Sequence, residues 1–224
     1  MRVVAVVPAY NEEATVGAVI RGLRQNVTAV VVVDDGSVDA TSDAALAEGA
    51  AIVRHFLNRG QGAALQTGIT YALGLGADAV VTVDADGQHE AGDIPALVAP
   101  IRQGLADVVF GSRFLGDGAR YVPPARRMLL RIAVWFDRLR TGLPLTDTHN
   151  GLRALRADAA RAITIRQDGM AHASELLDEV VRCQLQFVEV PVRIRYTDYS
   201  RAKGQGWWQA GKIVRDLLFS RLFR

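Results

Sequence analysis

The chain has 224 residues, half of them hydrophobic, with 26 basic against 24 acidic side chains. That length suffices to bury a full α/β core, and the near balance of charge leaves no electrostatic footprint for nucleic acid. The single cysteine, Cys183, excludes an internal disulfide and suits a reducing compartment; it falls in a helical pattern, where packing is its expected role.

Val3-Val4-Ala5-Val6-Val7 is an apolar, β-branched run that predicts a buried strand. It ends in Pro8-Ala9-Tyr10-Asn11-Glu12-Glu13, and a helix is expected over 12–25 with two carboxylates at its positive end. Val30-Val31-Val32-Val33 predicts the next strand and ends in Asp34-Asp35-Gly36-Ser37, after which Asp39 opens a helix to about Ala47. Ala51-Ile52-Val53 predicts a short strand, and the Ala-rich stretch 62–75 a helix. Ala79-Val80-Val81-Thr82-Val83 predicts a strand ending in Asp84-Ala85-Asp86-Gly87-Gln88-His89; Asp93 then reads as the cap of a helix with Pro95 in its first turn. Asp107-Val108-Val109-Phe110 predicts a strand ending in Gly111-Ser112-Arg113. Further on, a loop at 146–151 precedes a short strand, 174–183 reads as a helix, and the alternation at 187–194 as a strand that Pro191 places at an edge or bend. Alternating β and α units imply a mainly parallel sheet between helical layers, and no repeat or linker divides the chain, which reads as one domain over 1–224.

Asp84, Asp86 and Gln88 carry the strongest chemical signal. Two carboxylates two residues apart at a strand end, a turn-permitting Gly87 and a neutral amide oxygen form a hard-oxygen cluster. It suits Mg²⁺ or Mn²⁺ and leaves coordination positions for a diphosphate. The plainer alternative is a surface turn with two solvated aspartates. Four strand ends bearing acidic, aromatic or basic groups favour a ligand crevice, since open α/β sheets bind at the carboxyl ends of their strands. His89 is read as a structural neighbour of the cluster rather than a ligand.

Two stretches are amphipathic. Over 126–140, Met128, Leu129, Ile132, Trp135, Phe136 and Leu139 form an apolar face beside Arg127, Arg131 and Arg138; over 207–224, Trp207, Val214, Leu217 and Leu218 lie among Lys212, Arg215, Arg221 and Arg224. Basic residues beside Trp and Leu suit a helix in a membrane interface, a protein partner or, plainly, an ordinary core-facing helix. No run approaches the ~20 apolar residues that span a bilayer, and no signal peptide is read, so a cytoplasmic protein peripheral to the inner face of the cell membrane is expected.

Pro8-Ala9-Tyr10-Asn11-Glu12, Val33-Asp34-Asp35-Gly36-Ser37, Asn58-Arg59-Gly60-Gln61-Gly62, Asp84-Ala85-Asp86-Gly87-Gln88 and Gly111-Ser112-Arg113 stand in the order and spacing of inverting family-2 glycosyltransferases of GT-A fold. Within them the chain most resembles dolichyl-phosphate-mannose synthase and bacterial polyprenyl-phosphate sugar transferases. The likeness runs from residue 2 to about 115, and resumes at Asp147-Thr148-His149-Asn150-Gly151-Leu152-Arg153 and at Tyr199-Ser200-Arg201-Ala202-Lys203-Gly204.

The resemblance implies a GT-A, Rossmann-like fold and metal-dependent transfer of a hexosyl unit, with inversion, from a nucleotide sugar of GDP-mannose or UDP-glucose type to a polyprenyl phosphate. The alternatives are transfer to a saccharide hydroxyl in envelope polysaccharide synthesis, or a nucleotide-sugar-binding subunit without turnover. It also implies roles for individual residues. Asp35 would accept from a base N–H, Pro8 and Tyr10 would wall the base, and Glu12 would reach ribose or base unless it only stabilises a helix start. Asp34 would brace its turn. Asp86 would ligate the metal directly, with Asp84 acting through sugar or ribose. Arg113, Arg201 and Lys203 would bind the acceptor phosphate, which needs cations rather than a base; Arg113 could instead pair with a nearby Asp. Asp147, then His149, are the candidates if a base is required, the alternative for Asp147 being to orient Arg153 or a sugar hydroxyl. Glu175 would brace an Arg or touch sugar, or serve as a first-turn carboxylate. The chain departs from the synthase pattern after Gly204, where a Ser-Lys pair is replaced by Gln205-Gly206-Trp207, and no run within these 224 residues matches the spanning helices many relatives carry.

Overall fold

A computed structural model describes residues 1–116, 122 and 124–195. The expected helix 207–224 and the candidates Arg201 and Lys203 lie outside the described residues. Seven strands form one sheet: β1 (Val3–Ala9), β2 (Ala29–Asp34), β3 (Ala51–Arg54), β4 (Ala79–Thr82), β5 (Val108–Ser112), β6 (Arg153–Arg156) and β7 (Phe187–Pro191), in the order β3-β2-β1-β4-β6-β5-β7. All neighbours are parallel except β6, which runs antiparallel between β4 and β5. The helices are α1 (Val16–Leu23), α2 (Thr41–Ala47), α3 (Gln61–Gly74), α4 (Ile94–Arg102), α5 (Pro124–Thr141), α6 (Ala157–Ala162) and α7 (His172–Arg182).

The apolar strand runs follow from burial on both faces. Alternate residues of β1 serve separate cores: Val3, Ala5 and Val7 pack with Ile20, Leu23 and Leu97, whereas Val4 and Val6 pack with Leu65, Ile69 and Leu155. Gly68 of α3 allows close contact there, because a Cβ would meet the Val33 side chain at 3.0 Å and Val6 closer still. Chain order reverses between β1 and β4, so the crevice of this sheet opens where Ala9-Tyr10 and Val83-Asp84 leave it.

Three local expectations are corrected. The helix expected over 12–25 begins only at Val16, because residues 12–15 form a turn in which Glu12 O accepts the N–H groups of Thr15 and Val16 (3.0 and 2.9 Å). Asp93 makes no side-chain cap bond to α4; its carboxylate accepts Arg193 N instead (2.7 Å). The strand expected over 187–194 stops at Pro191, on the sheet edge, and Ile194 instead bridges to His89.

Candidate functional site

The β2 end is built from paired aspartates with different surroundings. Asp34 is fully buried and braces its own turn: it accepts Ser37 N (2.8 Å) and the Ser42 hydroxyl. Asp35 binds the β3–α3 loop, Oδ1 accepting from His55 Nδ1 (2.7 Å) and Arg59 N (3.0 Å), and Oδ2 from Gly60 N (2.7 Å). The His55 side chain is largely covered, 8 % exposed, and reaches Thr67 Oγ1 with its other ring nitrogen (3.0 Å). A base N–H would therefore join a carboxylate that already has three internal donors, within the roughly four acceptor positions a carboxylate offers. Pro8 is buried inside β1, while Tyr10 is exposed at its end. Asn11 takes a left-handed backbone (φ 53°), and its N–H and side chain bond Ser37 Oγ (2.9 Å) and Val38 N (3.0 Å), locking the β1 and β2 loops together. Glu12 is buried; it accepts the Thr15 hydroxyl (2.8 Å), and its own N–H donates to Thr41 Oγ1 (2.8 Å).

At the β4 end the two carboxylates also differ. Asp84 is held on both oxygens, by Gln61 Nε2 (2.9 Å) and His89 Nε2 (3.1 Å), with 31 % of its side chain exposed. Burial raises its pKa, but the His89 hydrogen bond and the positive fields of His89, Arg153 and His172 outweigh it and leave a net lowering. Asp86 shows the reverse. Burial and the neighbouring Asp84 charge raise its pKa, and among the described residues only Gln88, through its N–H (3.0 Å) and side-chain amide, is bonded to it. A carboxylate disfavoured by a like charge at a crevice, with a neutral amide beside it, fits a divalent cation chemically. Asp86, whose two oxygens are bonded within its own turn to Gln88, fits it better than Asp84, which is tied to side chains from outside that turn, Gln61 and His89. The Gln88 amide nitrogen faces Asp86, so its oxygen would serve as ligand only after the amide turned. His89 braces Asp84 and pairs with Ile194 in an isolated bridge.

Gly151 makes the arrangement possible. A Cβ on it would lie 2.5 Å from both Cγ and Oδ1 of Asp84, and nearer still to Oδ2, so no side chain can stand there while Asp84 keeps its place.

The loop after α5 forms the opposite wall. Arg113, 5 % exposed, donates its Nε to Asp147 Oδ2 (2.6 Å) and a terminal nitrogen to His149 O (2.9 Å), while its backbone N–H also reaches Asp147 Oδ2 (3.1 Å). The structure thus brings Arg113 and Asp147, 34 residues apart, into a buried ion pair rather than presenting either as a solvated group. Asp147 is 1 % exposed, and its Oδ1 has no hydrogen-bond partner among the described residues. Arg153, on β6, is buried behind this pair, and burial lowers its pKa against the opposing fields of Asp84, Asp147 and Asp137. Glu175 accepts the N–H groups of Arg166 and Gln167 (2.9 and 2.7 Å) and so braces the loop before α7.

Sequence reasoning missed Glu189 and His55. Glu189, on β7, accepts Thr146 N on both oxygens (2.8 Å each), the Thr146 hydroxyl (3.0 Å) and Asp147 N (3.0 Å). Its only local signal is a charge at an alternating position of an edge strand. His55 gives no signal beyond standing shortly before Asn58-Arg59-Gly60. The last described residue, Arg195, donates its N–H to Gln88 O (2.8 Å), so the chain leaves the described region beside the acidic cluster, six residues before Arg201.

The fold is of GT-A architecture. The chain belongs to glycosyl transferase family 2, whose sequence profile matches residues 4–164. It is similar to the UDP-N-acetylglucosamine–dolichyl-phosphate N-acetylglucosaminyltransferase of Methanococcus voltae, at 31 % identity over 238 residues covering 97 % of this chain and 95 % of that protein. It is also similar to the undecaprenyl-phosphate mannosyltransferase of Micrococcus luteus, at 34 % identity over 219 residues covering 92 % and 88 %. Among solved structures, glucosyl-3-phosphoglycerate synthase of Mycobacterium tuberculosis matches with TM-score 0.73 at 22 % identity, over 97 % of this chain and 78 % of that one. Another crystal structure of that enzyme contains Mn²⁺ and UDP-glucose.

Proposed function

We propose that this glycosyltransferase moves a hexosyl unit from a nucleoside diphosphate sugar to a polyprenyl phosphate, with inversion and with Mg²⁺ or Mn²⁺ held through Asp86. The observation that carries the reading is the asymmetry of the acid pair: Asp84 is pinned by Gln61 and His89, while Asp86, among the described residues, is bonded only to Gln88 and is repelled by Asp84. The names of the relatives in Methanococcus and Micrococcus support the acceptor class.

Asp86, with Gln88 beside it, would hold the cation, which when bound offsets the charge of the departing diphosphate. Asp84, fixed in position, orients sugar or ribose hydroxyls as an acceptor of hydrogen bonds. Asp35 and the loop it holds receive the base, with Tyr10 as an exposed wall. An acceptor phosphate is anionic near neutral pH, so its oxygen attacks the anomeric carbon directly, the glycosidic C–O bond to the diphosphate breaks, and the centre inverts. No base is consumed, which agrees with an Asp147 buried against Arg113. Arg113 then shapes the acceptor wall through Asp147 and His149, and the phosphate-binding cations fall to Arg201 and Lys203.

Helix α5 supports attachment to a membrane surface. Met128, Ile132, Trp135 and Leu139, spaced by four, three and four residues, form an exposed apolar stripe, with Arg127 and Arg131 exposed beside it. No helix of the described residues is long and apolar enough to cross a membrane. A donor panel of GDP- and UDP-sugars, incubated with Mn²⁺ and a short polyprenyl phosphate, tests the function by mass analysis of the lipid product. A glycosylated lipid phosphate is expected; labelling of a saccharide acceptor alone would favour the hydroxyl alternative.

A further inference from the structure

Asp137 lies on α5 half a turn from the exposed apolar stripe, on the inward side with Ala133 and Val134, and is 1 % exposed. Its Oδ1 accepts Ser174 Oγ (3.2 Å) and Arg140 Nη2 (3.4 Å). Its Oδ2 is buried, lacks a hydrogen-bond partner among the described residues, and stands 3.9 Å from His149 Nδ1. That imidazole nitrogen is itself bonded to Thr148 Oγ1 (2.9 Å). The next residue, Arg138, donates Nε to Leu145 O (2.7 Å) and a terminal nitrogen to Pro144 O (3.4 Å). One turn of α5 therefore bonds the start of the segment 144–149 through Arg138 and places the Asp137 carboxylate beside its end at His149; the segment carries Asp147 and, through it, Arg113. A buried carboxylate oxygen without a hydrogen bond is costly unless a nearby charge or polar group compensates it, and the His149 ring stands beside it.

We propose that Asp137 is a positioning residue for the acceptor half of the site: it holds His149 and, together with Arg138, sets the loop that carries Asp147. The role in acceptor transfer rests on the function proposed above. Helix α5 would then serve two tasks with opposite faces, the outer stripe meeting the surface that delivers the acceptor and the inner acid aligning the loop that receives it.

The charged groups facing His149 are Asp137 from α5, Arg153 from β6, Asp147 from its own loop and Arg113 from beyond β5, with His172 of α7 nearby. Burial lowers the His149 pKa most; Asp137 is the foremost group raising it, followed by Asp147, while Arg153 and Arg113 lower it. Removing the Asp137 charge therefore moves the His149 titration to lower pH, a readout that simple loss of packing does not produce in that direction through a specific charge.

Asp137→Asn keeps the side-chain size and tests the proposal in three measurements: kinetics with polyprenyl phosphate, nucleoside diphosphate affinity by calorimetry, and the His149 ring titration by NMR. The acceptor kcat/KM is expected to fall by on the order of 10–100-fold, as misplacement of a reacting partner by about 1 Å does. Nucleotide affinity stays within about twofold because the donor loops are untouched, His149 titrates at lower pH, and Asp137→Glu restores part of the loss. Adding His149→Gln to Asp137→Asn should cost little beyond either change alone; additive losses would overturn the coupling. A folded Asp137→Asn enzyme with normal acceptor kinetics and an unmoved His149 titration would overturn the proposal. If Asp137→Asn does not fold, His149→Gln must show the acceptor defect, and normal acceptor use by it overturns the proposal. Wild-type enzyme that binds nucleotide but ignores polyprenyl phosphate defeats the acceptor reading separately. The His149 titration then decides the positioning role, an unmoved titration counting against it.

Discussion

Gly151→Ala is the sharpest perturbation of the acid pair, because it adds one methyl group and no charge. The new Cβ would stand 2.5 Å from Asp84 Cγ and Oδ1, and closer to Oδ2. Backbone conformation is not the obstacle, since Gly151 is not among the glycines with positive φ. Asp84 must therefore retreat by roughly 1 Å to reach an ordinary van der Waals separation. Its bonds to Gln61 Nε2 and His89 Nε2, now 2.9 and 3.1 Å, cannot both survive such a shift. Overpacking of this kind costs ~1–3 kcal/mol, and the partial exposure of Asp84 lets water replace some of what the hydrogen bonds lose. Urea denaturation should thus show a loss of ~1–3 kcal/mol, accompanied by a fall in turnover of about tenfold or more as the carboxylate leaves its alignment. The double variant Gly151→Ala/Asp84→Ala should regain most of the stability, since the clashing group is gone, yet remain inactive. Wild-type stability and turnover in Gly151→Ala would show that Asp84 has room to move and is not fixed by its surroundings.

Asp86→Asn should leave the melting temperature nearly unchanged and abolish the metal-dependent part of nucleoside diphosphate affinity, measured by calorimetry with and without Mn²⁺, because an amide is a poorer ligand for a hard cation. Asp35→Asn should weaken nucleotide binding by ~1–3 kcal/mol, as its amide group faces the N–H donors of Arg59 or Gly60; unchanged affinity would move base recognition elsewhere. Glu189→Gln replaces an oxygen that accepts Thr146 N with an amide donor, so acceptor turnover should drop about tenfold while nucleotide binding holds. Burial, then the Arg153 charge, lowers the His172 pKa from 6.5 to about 4. The unfolded chain therefore binds more protons between these values, and stability should decline as pH falls from 6.5 to about 4, by at most ~3 kcal/mol, and level off below. Denaturation at pH 7 and pH 5 checks this, with His172→Gln expected to flatten the decline.

The parallel half of the sheet was legible because β1, β2, β4 and β5 are covered on both faces, which forces unbroken apolar runs such as Val30-Val31-Val32-Val33. Within β6, Arg153-Ala154-Leu155-Arg156 offers no such run; its antiparallel insertion follows from pairing with Val80, Val81 and Val109, which no local pattern announces. The short α6, Ala157–Ala162, was not read because six residues show too little periodicity. The acid pair was legible because Asp84, Asp86 and Gln88 are neighbours in sequence. Their unequal environments were not, since Asp84 depends on Gln61, 23 residues earlier, and on space left by Gly151. The Arg113–Asp147 pair and the grip of Glu189 on Thr146 likewise arise from contacts 34 and 43 residues apart. Local chemistry thus pointed to the candidate crevice, while its inner support came only with the tertiary fold.

The most direct test is the anomeric configuration of the sugar on a polyprenyl phosphate product, read by NMR after reaction with the preferred donor in Mn²⁺ and in EDTA. A lipid-linked sugar of inverted configuration, formed only with the metal, is the expected result. Retention of configuration, or undiminished transfer in EDTA, would contradict a metal-dependent displacement at the Asp84–Asp86 pair.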